Sequence, residues 1–260
     1  MTEQEMMVLV PQKLSEIEDQ YGIKILFAAE SGSRSWRTAA PDADFDVRFI
    51  YIRKPEAYLR LDHVRDTLEF PIEDGWDMSG WDLDKTLRLL YKSNPRIYEW
   101  FHSPIVYTNQ EFAKRFEPIM SQYFQEKSAV YHYLNMARQQ KEHFLQADTV
   151  KLKKYLYAIH PLMAAQWVLD NHTPPPVVFR ELMDAELPEY IKSEVDMLIT
   201  KKMTFPEQKM IPREECLDHY IQDTIQRVSE YASKLPDTIE QGWDNLNQFF
   251  LSELSWVHDQ

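Results

Sequence analysis

The chain has 260 residues, a mass of 31.1 kDa and an apolar content of 44%. This composition is typical of a soluble globular protein with one large or two ordinary domains, and it excludes a small disulfide-stapled scaffold. The formal charge is −13, which disfavours nonspecific binding to nucleic-acid backbones. A single cysteine, Cys216, predicts no disulfide-linked partner, and the first residues lack the pattern of a signal peptide. We therefore expect a cytoplasmic protein with no membrane segment.

Hydrophobic spacing in the first part of the chain predicts a helix, two strands and a polar turn. Apolar residues recur on one side of residues 3–20, which predicts an amphipathic helix that ends at Gly22. That apolar side consists of Met7, Val10, Leu14 and Ile17. The apolar run 23–29 predicts a buried strand, and a polar turn over residues 30–35 follows it. Residues 44–52 then alternate as a second strand.

The next segment completes a small mixed α/β unit. Residues 53–73 are mixed and charged, which is consistent with an insertion. A turn at Asp74-Gly75 precedes a short candidate strand, residues 76–79. A helical pattern begins at Asp82, where the carboxylate of Asp82 or Asp84 suits the positive end of a helix dipole, and it stops at Asn94-Pro95.

Beyond residue 110 the pattern is helical almost to the end of the chain. Helices are predicted near residues 111–147, 150–170, 188–202, 214–234 and 238–255. Pro161 is expected to kink or break the second of them, since proline removes a helical hydrogen bond. The predicted fold class is α+β, with a small mixed sheet and its helices in a domain at residues 1–110 and an all-helical domain at residues 111–260.

The most informative motif combines Gly32-Ser33 with the later pair Asp44 and Asp46. Glycine permits close approach of the backbone to a ligand, and a Gly-Ser turn that enters a helix presents N–H groups to phosphate oxygens. The two aspartates would share one strand face, and carboxylates are ligands that Mg²⁺ accepts together with substrate phosphates. Val47 and Arg53 occupy the positions where a calcium-binding EF-hand loop needs Gly and Glu, and the turn lacks the lysine of a Walker A loop.

A third carboxylate would complete a two-metal site, and Asp77 is our candidate for it. On a neighbouring strand it would ligate one metal and accept a proton from an attacking hydroxyl. Asp74 and Asp82 are the competing candidates. The surroundings are acidic, because residues 42–84 contain twelve acidic and five basic side chains; this excess either faces water or holds cations.

These residues resemble the catalytic signature of the DNA polymerase β-like nucleotidyltransferase superfamily. The signature consists of Gly32-Ser33, the pair Asp44 and Asp46, and Asp77. Within the superfamily, the run GWDLDKTLRLLYKSNPRIYEWFHSPIVY over Gly80 to Tyr107 closely resembles the RNA-repair-pathway polymerase-β-like nucleotidyltransferases. The helical C-terminal half, with KKYLYAIHPLMAAQWVLDNHTPPPVVF, is similar to the same family.

The resemblance implies transfer of a nucleoside monophosphate from a nucleoside triphosphate to a hydroxyl, with release of pyrophosphate. Asp44, Asp46 and Asp77 would be the catalytic and metal-binding residues for Mg²⁺ or Mn²⁺, and Gly32 with Ser33 would hold the terminal phosphates. The family favours an RNA end as the acceptor, with a protein or a small molecule as alternatives. A nucleotide-binding regulatory or scaffold protein without turnover is the competing hypothesis.

Further side chains are candidates for contact with the nucleotide. The basic candidates for offsetting phosphate charge are Arg34, Lys85, Lys153 and Lys154. Tyr155 and Tyr157 are candidates for stacking on a base. Of these we retain Arg34, Lys85, Lys154 and Tyr157 as nucleotide-binding candidates.

Overall fold

The computed structural model describes residues 2–62, 64–108, 110–237 and 241–258. Its helices are α1 Glu3–Tyr21, α2 Gly32–Ser35, α3 Pro55–Tyr58, α4 Leu83–Tyr91, α5 Pro95–Phe101, α6 Glu111–Tyr123, α7 Glu126–Phe144, α8 Leu152–Asn171, α9 Phe179–Glu186, α10 Glu189–Thr204, α11 Glu215–Lys234 and α12 Asp244–His258. Its strands are β1 Ile23–Glu30, β2 Phe45–Arg53, β3 Thr67–Glu69, β4 Trp76–Asp82, β5 Thr149–Lys151 and β6 Met210–Pro212. The fold is therefore α+β with a small mixed sheet and a helical C-terminal part, as the sequence predicts.

The four-stranded sheet has the order β1-β2-β4-β3. Strand β2 pairs antiparallel with β1 and parallel with β4, and β3 is antiparallel to β4 at the edge. In the parallel pair, Asp46 of β2 lies opposite Asp77 of β4. The start of these two central strands is where the candidate carboxylates meet.

Helices cover both faces of the sheet, and β2 is apolar on one face from Phe45 to Tyr51 and on the other at Ile50 and Ile52. On one face, Val47 and Phe49 pack in a core with Val10 and other residues of α1. On the other face, Ile50 and Ile52 pack with residues of α4, α5, α6 and α12. The predicted boundary near residue 110 stays a prediction, and α6 and α12 share this second core with the N-terminal elements.

Local sequence signals fix several helix ends. Thr2 and Glu5 form a capping box at the start of α1, and Gly22 ends α1 in the left-handed conformation. Asp82 caps α4 through a hydrogen bond from the backbone N–H of Asp84. The prediction for the buried side of α1 is wrong at one position, because Met6 is buried and Met7 is 45% exposed.

The structure corrects several helix predictions. The helix predicted over residues 111–147 is two helices, α6 and α7, because Phe124 and Gln125 leave the helical conformation. Strand β5 takes the first residues predicted as helix 150–170 and pairs with β6, so the C-terminal part is not all-helical. Helix α8 continues through Pro161, since the residues around this proline are buried on every side. The helix predicted from residue 238 begins at Asp244, and residues 238–240 lie outside the described residues.

Short elements escaped the sequence analysis altogether. Strand β3 and helix α3 lie within the charged segment interpreted as an insertion, and α5 and α9 have seven and eight residues. Elements of this length carry too few turns or alternations for a periodic signal. Among the described residues, no helix combines the length and apolarity needed to cross a membrane.

A third core holds α7 to α11 together and reaches the turn after β1 through Trp36. The indole of Trp36 stacks on the His160 imidazole of α8, with ring centroids 4.0 Å apart. The backbone N–H of Phe179 also donates to the Trp36 carbonyl at 3.0 Å. The helical part is thus packed directly against the end of α2.

Burial of His160 predicts a measurable dependence of stability on pH. Burial lowers the pKa of His160 from 6.5 to about 3. Below about pH 6.5 this imidazole is therefore protonated in the unfolded chain but stays neutral in the folded chain. The free energy of unfolding should therefore fall by about 2 kcal/mol from this group alone between about pH 7.5 and about pH 5. Urea unfolding at the two pH values measures it.

The variant His160→Phe is the control for this prediction. It removes the titrating group and keeps an aromatic ring against Trp36. The fall in stability between the two pH values should be smaller in the variant by this amount. An equal fall in both proteins would show that His160 contributes nothing to acid destabilisation.

Candidate active site

The turn after β1 lies directly against Asp46. Gly32 has φ +61°, a backbone conformation that favours glycine. A Cβ atom at Gly32 would lie 2.3 Å from Oδ2 of Asp46, well inside van der Waals contact. The backbone N–H of Ser31 donates to the Asp46 carbonyl at 2.8 Å, and Ser33 is 3% exposed. Only glycine at position 32 allows the turn to approach the carboxylate this closely.

Arg48 joins the two facing aspartates. Its guanidinium donates from Nη1 and Nη2 to the two carboxylate oxygens of Asp77, both at 3.0 Å. Nη2 also donates to Oδ1 of Asp46 at 3.1 Å, and Nη1 donates to the Asp77 carbonyl at 2.7 Å. A bidentate arginine contact of this kind is charge-assisted and directional. Arg48, which was not among the residues selected from the sequence, therefore holds both carboxylates in place.

The pKa of Asp46 is raised to about 7, chiefly by burial; the nearby Asp77 and Glu30 carboxylates also raise it, while Arg48 lowers it. The side chain is only 27% exposed, so water stabilises its charge poorly. A cation next to Asp46 would favour the ionised carboxylate. The environment of this side chain therefore suits a site that gains positive charge when a ligand binds.

Glu30 is a further buried carboxylate that the sequence analysis did not select. Its Oε1 accepts the backbone N–H of Asp46 at 2.9 Å, and its Oε2 accepts the Tyr107 hydroxyl at 2.6 Å. Glu30 is fully buried, and this burial raises its pKa. The contacts fix the start of β2 relative to the end of β1. The available signal was an acidic residue at the end of a largely apolar strand, directly before the Gly-Ser turn.

Asp44 lies one residue before β2 and is exposed. It is therefore not part of the strand that the sequence analysis began at this residue. Its Oδ1 lies near Gly75, since a Cβ atom there would be 3.9 Å away. Arg34 closes the loop between the turn and β2 by donating to the Ala43 carbonyl at 2.6 Å and the Asp44 carbonyl at 3.0 Å. These contacts place Asp44 at the sheet end where Asp46 and Asp77 meet.

The remaining nucleotide-binding candidates lie in different places. Tyr157 contacts Trp36 edge to face at 5.4 Å, and Lys154 lies over the Phe144 ring at 3.4 Å from its centroid. Lys154 is also 5.8 Å from the Tyr157 ring centroid, so these two candidates are neighbours on α8.

Three other candidates are engaged in structural contacts. Lys153 forms an ion pair with Glu207. The Tyr155 hydroxyl donates to Asp218. Lys85 binds Asp66 and Thr67 beyond the far end of β4, about 16 Å along the strand from Asp77. The structure thus does not bring Lys85 to the candidate carboxylates.

The carboxylates of Asp44, Asp46 and Asp77 have suitable chemistry for a divalent cation. In this structure the positive charge next to Asp46 and Asp77 comes from Arg48. Their oxygens are ligands that Mg²⁺ and Mn²⁺ take. Over the described ranges of the chain, no three Asp, Glu, His or Cys side chains are arranged to hold a metal ion. The Arg48 guanidinium occupies both Asp77 oxygens and one Asp46 oxygen. Binding of a cation between Asp46 and Asp77 would require Arg48 to release them.

Comparison with known proteins identifies the family. The family model described as the RNA repair pathway DNA polymerase beta family, RlaP, matches residues 6–252. The chain belongs to this family. The match covers nearly the whole chain, from α1 to α12.

Two individual proteins are similar to this member of the RNA repair pathway DNA polymerase beta family. The uncharacterized protein YcgL of Bacillus subtilis strain 168 is 39% identical over 247 residues, which cover 94% of this chain and 95% of YcgL. A crystal structure of a nucleotidyltransferase-like protein from Exiguobacterium sibiricum 255-15 is 15% identical. The structural alignment covers 85% of this chain and 74% of that protein, with a TM-score of 0.27. A TM-score this low supports no functional argument.

Proposed function

We propose that the protein is a nucleotidyltransferase that transfers a nucleoside monophosphate from a nucleoside triphosphate to an acceptor hydroxyl and releases pyrophosphate. The observation that carries the proposal is the juxtaposition of Gly32, Asp46 and Asp77 at one end of the parallel strand pair. Membership of a polymerase β-like family supports the same reaction class. Positioning and electrostatic stabilisation supply most of the catalysis in phosphoryl transfer.

In this proposal each side chain has a separate task. Asp44, Asp46 and Asp77 hold Mg²⁺ or Mn²⁺, which when bound polarises the phosphate and offsets charge on the leaving pyrophosphate. Gly32 and Ser33 contact the terminal phosphates, and Tyr157 and Lys154 line the nucleotide site from α8. Arg34 keeps the Gly-Ser turn against the segment before β2 through its bonds to the Ala43 and Asp44 carbonyls.

The chemical step follows from these positions. The acceptor oxygen attacks the α-phosphorus, and the proton of its hydroxyl passes to the Asp77 carboxylate. The bond from the α-phosphorus to the bridging oxygen breaks, and its electron pair leaves with pyrophosphate. Arg48 must move away from Asp77 for this carboxylate to accept the proton, since it occupies both Asp77 oxygens. Lys85 has no role here because it lies beyond the opposite end of β4.

The acceptor we propose is an RNA end, on the ground of the family description. The acidic composition gives no independent support for a long nucleic-acid interface. An acceptor that offers a single terminal hydroxyl needs contact only at the active site, so the charge of the whole chain does not oppose this choice. A protein hydroxyl and a small-molecule hydroxyl remain the alternatives.

Incubation with α-labelled nucleoside triphosphates tests the proposal. Purified protein is mixed with each common triphosphate, Mg²⁺ or Mn²⁺, and separate pools of RNA, protein and small molecules. We expect label in the RNA pool together with release of pyrophosphate, and loss of both when EDTA removes the metal. Label in another pool would keep the reaction class and change the acceptor. Tight nucleotide binding without label or pyrophosphate in every pool would contradict transfer and favour the regulatory hypothesis.

A further inference from the structure

A buried lysine from the helical part reaches the turn that follows β1. Lys202 lies in the last turn of α10 and is 3% exposed. Its Nζ donates to the Thr38 carbonyl at 2.5 Å, and the backbone N–H of Thr38 donates to the Ser33 carbonyl at 2.9 Å. Only the backbone of Thr38 therefore separates this ammonium from Ser33. Lys202 lies outside the motifs found in the sequence and is remote from Gly32-Ser33 along the chain.

Within the part of the chain that the structure describes, no ion pair matches the charge of Lys202. An ammonium has three N–H donors, and in the described residues only the bond to the Thr38 carbonyl uses one of them. The charged side chains that act on Lys202 are Glu207, Lys153, Asp46 and Arg34. Of these, Glu207 is engaged with Lys153. Burial lowers the pKa of Lys202 to about 8. A buried cation with free donors is expensive unless an anion joins it.

The residue that accepts the Lys202 hydrogen bond carries a second buried polar group, its hydroxyl. Thr38 is 2% exposed, and its hydroxyl oxygen has no hydrogen-bond partner within the described residues. Most buried side-chain hydroxyls are hydrogen-bonded, so an unpartnered hydroxyl on the residue whose carbonyl accepts the Lys202 bond is informative. The ligand that both groups fit has several oxygen acceptors and negative charge, which are the properties of a phosphate group.

We propose that Lys202, together with the Thr38 hydroxyl, binds the terminal phosphates of the nucleoside triphosphate at the Gly32-Ser33 turn. The inference rests on the proposed function and adds ligands from outside the polymerase-like motif. Lys202 neutralises charge that builds on pyrophosphate as it leaves. Because Lys202 belongs to α10, a bound triphosphate connects the helical part to the turn next to Asp46.

Titration with inorganic tripolyphosphate in a buffer containing Mg²⁺ tests the inference by calorimetry. This probe has no base or sugar, so it reports contacts to the phosphates alone. We expect Lys202→Met to bind it at least about tenfold more weakly than the wild type. The matched control is Lys201→Met, since Lys201 is the exposed neighbour on the same helix, and it should bind like the wild type.

Thr38→Val provides a second variant that does not depend on the lysine. Its hydroxyl has no partner in the described structure, so the isosteric valine should retain the wild-type melting temperature and still bind tripolyphosphate more weakly. Wild-type affinity in both Lys202→Met and Thr38→Val would overturn the inference and leave the proposed function intact. Failure of the wild type itself to bind tripolyphosphate and every nucleoside triphosphate would instead overturn the proposed function.

Discussion

Asp46→Asn should reduce nucleotidyl transfer by at least about a thousandfold while the protein stays folded. The carboxylate lies at the point where Gly32, Asp77 and Arg48 meet. Asparagine keeps an oxygen that accepts the hydrogen bond from Arg48, so we expect the local packing to be retained. It removes the negative charge on which binding of a divalent cation depends. The rate of label transfer in a single turnover measures the effect.

Asp19→Asn is the matched control for this substitution, because Asp19 is an exposed aspartate on α1. Its transfer rate should equal that of the wild type. Circular dichroism and thermal melting establish whether each variant is folded. A folded Asp46→Asn variant with a rate within about threefold of the wild type would remove Asp46 from the mechanism.

Gly32→Ala should have the second-largest effect, a loss of transfer of at least about a hundredfold. The added Cβ atom would lie 2.3 Å from Oδ2 of Asp46, so either the turn or the carboxylate must move. Alanine also fits poorly at the φ of +61° found at this position, a conformation that costs about 1 kcal/mol for a residue with a Cβ atom. Initial rates and melting temperatures separate the loss of activity from the loss of stability.

Gly22→Ala separates the backbone strain from the contact with Asp46. Gly22 has a φ of +60°, and apart from Gly22 and its two chain neighbours, no heavy atom of the described residues lies within 4 Å of the position that its Cβ would take. The Gly22→Ala variant therefore has the same backbone strain as Gly32→Ala but no contact between its Cβ and a carboxylate. It should lower the melting temperature and leave the transfer rate unchanged. Equal activities in the two glycine variants would show that the close approach of the turn to Asp46 is dispensable.

The arrangement of the candidate carboxylates was partly accessible from sequence. Alternation placed Asp46 on a strand, and the short apolar segment at Trp76 placed Asp77 on another. The parallel pairing that brings them opposite each other is a long-range property, for which a single sequence carries no direct signal. The same missing information explains why Lys85 was selected although it lies away from the carboxylates. Because β4 runs parallel to β2, a residue that follows β4 lies at the end of the sheet opposite to Asp46 and Asp77.

Side-chain partners were less predictable than elements. The role of Arg48 depends on both neighbouring strands, and the burial of Glu30 depends on Tyr107, which lies far along the chain. Helix periodicity found α1 but selected Met7 instead of Met6, because both choices continue with Val10, Leu14 and Ile17 at helical spacing. Contacts between distant segments, such as Lys202 with Thr38, leave no periodic pattern in the sequence.

The central claim is that a nucleoside triphosphate and divalent cations bind among Asp44, Asp46, Asp77 and the Gly32-Ser33 turn. A crystal structure with Mn²⁺ and a triphosphate analogue that resists transfer tests it most directly. We predict anomalous Mn²⁺ density at ligand distance from Asp44 and Asp46, phosphates against the turn, and Arg48 released from Asp77. Nucleotide bound elsewhere, with Arg48 still bridging Asp46 and Asp77 and no metal density beside them, would contradict the account.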